Sequence, residues 1–180
     1  KTVGAECLLR WHHPVDGLVV PGPLIEAAES YNLMDELGRW VIEAGFEQAL
    51  RLKLEGISLQ ISLNISPSQL YDADLEHHLL QYSRQLAIPL NRIELELTEN
   101  VVLSNSMLVA ERLHQLRKFG VKIAIDDFGT GYSNLAYIKN MPVDTIKIDK
   151  SFVDELVECR INQAIVLGVM DIAEALDCKV

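Results

Sequence analysis

Two adjacent carboxylates, Asp126 and Asp127, end the alternating apolar run Val121-Lys122-Ile123-Ala124-Ile125, and a glycine-rich turn, Phe128-Gly129-Thr130-Gly131, follows at once. Neighbouring carboxylates repel each other unless a positive charge sits between them or one takes up a proton. A divalent cation meets that need, because hard cations prefer carboxylate oxygens. Gly129 and Gly131 allow a tight turn or a close backbone approach to a ligand. A surface loop with two solvated aspartates after a strand reads the same way, so the pair alone leaves both meanings open.

Other polar residues fall at comparable places. Thr2 to Leu9 reads as a strand, whose alternation puts Glu6, Leu8 and Arg10 on one face and Ala5, Cys7 and Leu9 on the other. A Glu inside a buried strand must be paired or metal-bound, so Glu6 is either the partner of Arg10 or a ligand. Ile57 to Asn64 alternates strictly, and Asn64 at its end is a turn former or an amide-oxygen donor. In the strand Ile93 to Glu99, Glu94, Glu96 and Thr98 share a face that is either solvated or functional. Lys147 and Asp149 share a face of the strand Asp144 to Asp149, where an ion pair between them is the plain alternative to a site role. His12 and His13 lack the spacing of a metal pair, and a loop before Pro14, turning at Asp16-Gly17, accounts for them.

Helices separate these strands. The pattern predicts one from Pro23 to about Ser30 and one from about Met34 to Leu54, with Leu37, Val41, Ala44, Gln48 and Leu52 on its inner side and Gly56 ending it. Further helices are expected over Asp72–Leu86, with Asp72 as N-cap and Pro89 beyond, and over Asn105–Phe119, closed by Gly120. A short helix is expected around Tyr132–Lys139, a cap at Ser151, and a long helix over Glu158–Leu176 with Ile161, Ile165, Val169, Ile172 and Leu176 on one side. Regular alternation of strands and helices predicts a parallel sheet covered on both faces.

The chain has 180 residues, 49% of them hydrophobic, enough for one compact domain. Lys and Arg number 16 against 26 Asp and Glu, giving a net charge of -10, which argues against binding a nucleic-acid polymer. A small phosphate ligand stays compatible, because a bound metal reverses the local sign. Cys7, Cys159 and Cys178 are widely spaced and suggest neither a zinc site nor a disulfide framework, so reduced thiols and a cytoplasmic setting are expected. There is no signal peptide and no apolar run of the roughly 18 residues a membrane span needs. The chain opens on Lys1 already near a strand and stops at Cys178-Lys179-Val180, which reads like a strand just starting. We therefore expect a piece of a longer protein, with any membrane or sensory part outside it.

Glu6, Asn64, Glu96, Asp126, Asp127 and Lys147 each fall at or near the C-terminal end of a predicted parallel strand. In a closed βα barrel those ends converge on one mouth, where active sites lie. Four carboxylates, one amide oxygen and a lysine suit Mg2+ or Mn2+ rather than zinc. Two such ions a few ångströms apart would generate hydroxide and brace the leaving oxygen of a phosphoester.

With these motifs in order, the chain resembles the EAL domain family of cyclic di-GMP phosphodiesterases along its whole length. Gly4-Ala5-Glu6-Cys7-Leu8-Leu9-Arg10-Trp11 matches the signature motif, with Cys7 where Ala is usual. Asn64-Ile65-Ser66, Glu94-Leu95-Glu96-Leu97-Thr98-Glu99, Asp126-Asp127-Phe128-Gly129-Thr130-Gly131-Tyr132-Ser133 and Lys147-Ile148-Asp149 match the later ones. The resemblance implies an α/β fold, a modified TIM (β/α)8 barrel, that hydrolyses cyclic di-GMP to linear pGpG in bacterial signalling. It implies that Glu6, Asn64, Glu96 and Asp126 hold a first metal and that Asp126 bridges to a second, also held by Asp127. Lys147 would orient or polarise the attacking water and Arg10 would bind a substrate phosphate. Glu99 would anchor the glycine-rich loop, which in this family couples dimerisation to metal binding. A homodimer and a fused sensory or GGDEF domain outside the chain are the implied partners. Cys7, on the face opposite Glu6, should pack outward without abolishing activity.

The family continues with a Glu-Gly-Val-Glu strand and a later Gln and begins one strand earlier, so we expect an incomplete barrel over residues 1–180, about three-quarters of the roughly 250 residues typical of the fold. Two other classes of function stand beside the enzyme. One is a non-catalytic cyclic di-GMP receptor, which degenerate ligand positions would favour, and the other is an interaction domain that binds no nucleotide.

Overall fold

A computed structural model describes residues 2–104, 106–130 and 138–180. The chain forms two compact units, Lys1–Glu94 and Leu95–Val180. The first runs β1 (Gly4–Cys7), β2 (Trp11–His13), β3 (Gly17–Val19), α1 (Gly22–Ser30), α2 (Met34–Leu54), β4 (Gln60–Asn64), α3 (Pro67–Tyr71) and α4 (Leu75–Leu86). A 3-10 turn, Leu90–Arg92, leads into β5 (Ile93–Thr98), which begins in the first unit and ends in the second. The second unit continues with α5 (Glu99–Ser104), α6 (Ser106–Lys118), β6 (Lys122–Phe128), β7 (Thr145–Ile148), α7 (Lys150–Asp154) and α8 (Arg160–Ala175).

In the first unit β1 and β4 pair in parallel, with Glu6 opposite Ser62 and Cys7 opposite Leu63. Ile61 and Leu63 point into a core with Phe46, Leu70, Leu75 and Leu79, all buried. The α2 boundaries are those expected from the sequence, but its buried side is Gly38, Ile42, Gly45, Phe46 and Ala49, one residue round from the expected stripe. The reason is steric. A Cβ on Gly45 would lie 2.5 Å from Leu63 Cδ2, and one on Gly38 would lie 2.3 Å from Gln69 Nε2. The helix turns its glycines inward to approach closely, and a reading by large apolar residues passes over them.

Other local differences have equally local causes. Trp11–His13 pairs antiparallel with Gly17–Val19 as a hairpin where a loop was expected, and Gly17 (φ 75°) takes the left-handed position after the turn. Ser66 and Gln69 form a reciprocal capping box that starts α3 at Pro67, a helix the sequence reading passed over. Asp72 ends α3 rather than starting α4, and its carboxylate accepts the Asp74 N–H at 2.9 Å. Ala87, at φ 50°, closes α4 ahead of Pro89.

In the second unit β6 and β7 pair in parallel, and the register shifts between Ile125 and Phe128. Ile123, Ile125, Phe128 and Ile146 are buried with Leu113 and Leu116 of α6. The cap of α7 is Asp149, whose side chain accepts the Ser151 N–H, so Ser151 is the donor and not the cap. Lys179 forms a parallel bridge with Thr145, in keeping with a strand starting there. Of the short helix expected around Tyr132–Lys139, residues 132–137 lie outside the described residues, and Ile138–Asn140 is a 3-10 turn.

The glycine contacts predict opposite signs at two helical positions. Gly45→Val should destabilise by about 2 kcal/mol or more through overpacking. Gly168→Ala, with nothing within 4 Å of the new methyl, should stabilise by about 0.5–1 kcal/mol. Urea melts of the two variants check both signs.

Candidate functional site

In the first unit β1 and β4 carry the expected residues on one face. The Asn64 amide donates from Nδ2 to Glu6 Oε1 at 2.8 Å, and both side chains are solvent-exposed. That bond uses the donor end of the amide and leaves to other partners its oxygen, the atom a hard cation binds. Asn64 is therefore more than a turn residue. Arg10 is exposed, donates to the Leu9 carbonyl at 2.7 Å, and borders an apolar cleft of about 480 Å³ with Trp11, Tyr31, Leu37 and Trp40. His13 is engaged within its own hairpin, with Nδ1 2.8 Å from the Asp16 carboxylate and its ring edge-on to Trp11, as a structural role requires.

In the second unit Glu96, 2% exposed, meets the Lys147 ammonium at 2.8 Å, and Lys147 also lies 3.4 Å from Asp126. Lys147 thus stands between two of the expected ligands, bringing three predicted site residues together. Glu99, 1% exposed, accepts the Gly129 N–H at 2.9 Å. Gly129 needs its lack of side chain twice over. Its φ is 99°, and a Cβ would lie 2.9 Å from the Phe152 ring.

Asp127 sits where the β6–β7 register breaks, with a φ of 53° that a residue with a side chain seldom adopts. Such an irregularity re-aims a side chain, and here two carboxylates that a regular strand would send to opposite faces feel each other's charge. Burial pushes the Asp127 carboxyl above the usual range, helped by the negative charges of Asp126 and Asp149 and a hydrogen bond with Asp149, while Lys147 pulls the other way. Asp149 is held below the usual range, chiefly by hydrogen bonds from Ser151. Sequence reasoning did not count Asp149 among the site residues. Its place two residues after Lys147 at the end of β7 was the available signal.

The EAL domain family matches residues 1–180 of the chain. A cyclic di-GMP phosphodiesterase of Pseudomonas aeruginosa is 34% identical over 180 residues, 100% of this chain and 31% of that protein. The bifunctional diguanylate cyclase/cyclic di-GMP phosphodiesterase MucR of the same organism is 35% identical over 180 residues, 99% of this chain and 26% of that one. This chain therefore spans less than a third of the length of these relatives. Its backbone superposes on the structure of the MucR phosphodiesterase in complex with c-di-GMP with a TM-score of 0.89 at 35% identity, covering 98% of this chain and 72% of the other. That likeness gives the α/β, TIM-barrel-like class that the family resemblance implied.

The position of Asp127 predicts a pH signature. A carboxyl raised on folding costs stability once it ionises, and the cost vanishes below its unfolded value of about 4, where both states are protonated. In EDTA, Asp127→Asn should melt above the parent at pH 7, and the gap should close as the pH falls towards 4. Thermal melts across that range give the sign directly.

Proposed function

As the chain belongs to the EAL domain family, we propose that it hydrolyses cyclic di-GMP to linear pGpG in bacterial second-messenger signalling. The observation that carries this reading is Lys147, held against Glu96 and Asp126 at the ends of its unit's strands. The donors supplied by Glu6, Asn64, Glu96, Asp126 and Asp127 are carboxylates and one amide, a set that fits Mg2+ or Mn2+. The Asn64 oxygen, which its bond to Glu6 leaves unused, and the crowding of Asp126, Asp127 and Asp149 support that fit. When bound, two such ions would lower the pKa of a water and neutralise charge on the phosphoester.

The chain's own residues have separate tasks in this reading. Lys147 orients the attacking water. Arg10 binds a phosphate of the substrate. Glu99 fixes the loop that follows Asp127 through the Gly129 N–H. Water adds to phosphorus, the bond to the 3′ oxygen breaks, and that oxygen takes up the proton, which opens the ring to pGpG. A homodimer, a fused sensory or GGDEF domain, and a cytoplasmic setting belong to the same proposal. No helix among the described residues is long and apolar enough to cross a membrane.

Incubation of the purified protein with cyclic di-GMP and Mg2+ or Mn2+, with an EDTA control, should yield pGpG only with metal. Asp126→Ala should lose at least about a hundredfold in turnover together with Mn2+ affinity. Arg10→Ala should raise KM with kcat little changed, because a phosphate contact is present in ground and transition states alike. Tight cyclic di-GMP binding without product would replace the enzyme by the receptor, and no binding by calorimetry would sink both. Full metal-dependent activity in Asp126→Ala would overturn the site.

A further inference from the structure

Two polar side chains of β4 flank Glu6 on its own face. Ser62 is its register partner across the parallel β1–β4 pair, and Asn64 is the next residue on that face. Both carry a donor within reach of a carboxylate, and they go different ways. Asn64 donates to Glu6, at 2.8 Å. Ser62, although directly opposite Glu6, donates to Glu94 Oε2, also at 2.8 Å. Ser62 and Glu94 are 8% and 6% exposed, so their bond lies in the interior, whereas Glu6 is solvent-exposed.

A buried carboxylate costs several kcal/mol unless it is hydrogen-bonded, and an apolar residue at position 94 would avoid that cost. Packing alone therefore does not account for Glu94. Its hydrogen bond from Ser62 is one of the contacts that hold it there. With Glu94 present, the serine hydroxyl has a buried acceptor and is drawn off the carboxylate beside it. Without Glu94, the register partner of Ser62 across the β1–β4 pair is the Glu6 carboxylate, and a hydrogen bond to it would occupy an oxygen lone pair that a cation needs.

We infer that Glu94 is a positioning residue that holds the Ser62 hydroxyl away from Glu6 and so keeps the Glu6 carboxylate available to a divalent cation. The inference rests on the proposed metal site, and it gives that site an internal guard that acts through a neighbouring hydroxyl, without contact to the metal. Outer partners of metal ligands commonly change affinity by 10–100-fold when altered, and the guard should act at the lower end of that range.

The test is a rescue experiment on the purified protein, read by direct Mn2+ titration with electron paramagnetic resonance, with pGpG formation followed in parallel. Glu94→Leu should weaken Mn2+ binding about tenfold. Glu94→Gln, which still offers Ser62 an oxygen acceptor, should stay within about threefold of the parent. Adding Ser62→Ala to Glu94→Leu should restore binding to within about threefold, because the misdirected hydroxyl is gone. If Glu94→Leu does not fold by circular dichroism, Glu94→Ala replaces it in both the single and double variants. Parent-level binding in the single apolar variant overturns the inference. So does equal weakening in Glu94→Gln and Glu94→Leu without rescue, which assigns the effect to lost charge. Absence of Mn2+ binding by the parent itself overturns the metal site first, and the guard with it.

Discussion

The ammonium of Lys147, 2.8 Å from Glu96 and 3.4 Å from Asp126, is the charge on which the second unit's acidic face depends. At an effective dielectric constant of about 20, a pair of unit charges about 3 Å apart attracts by about 5 kcal/mol. Taking Glu96 almost fully out of water costs several kcal/mol. The two terms nearly cancel, so the pair adds little to stability, and its loss would leave a buried carboxylate unneutralised. A protein selected for stability alone would do as well with an apolar pair. Lys147 is a counter-charge that offsets the burial of Glu96.

The end of β6 applies the same constraint to the backbone. Asp126 and Asp127 are consecutive, and a regular strand would separate them by sending one to each face. The register break and the left-handed Asp127 prevent that, at a conformational cost of order 1 kcal/mol or more. Glu99 then ties down the next peptide through the Gly129 N–H, and Phe152 fills the space a side chain on Gly129 would need. Strain at Asp127 is therefore held by buried contacts on the residues around it.

Strand ends were the most legible feature of the sequence, because carboxylates interrupting apolar alternation stand out. Glu6, Asn64, Glu96, Asp126 and Lys147 all fall on or at the end of a strand as expected. Two kinds of information were not legible. One is close approach. The inward face of α2 is set by Gly38 and Gly45, which carry no hydrophobic signal, so the stripe was read one residue out. The other is short-range hydrogen bonding. The Ser66–Gln69 box and the Asp149 cap depend on which donor a side chain finds, and the spacing of apolar residues does not report that. The S-P-x-Q pattern at 66–69 was a usable signal for the first.

The two units prepare their oxygens differently. Glu6 and Asn64 are exposed and hold each other by a single hydrogen bond, a bond worth about 1 kcal/mol net in water. Glu96 is buried and already matched to the Lys147 ammonium 2.8 Å away, so a cation held by Glu96 would share its carboxylate with that charge. Asp126 is a second carboxylate near the same ammonium, at 3.4 Å. The lysine's position thus follows from electrostatics before any catalytic need is invoked.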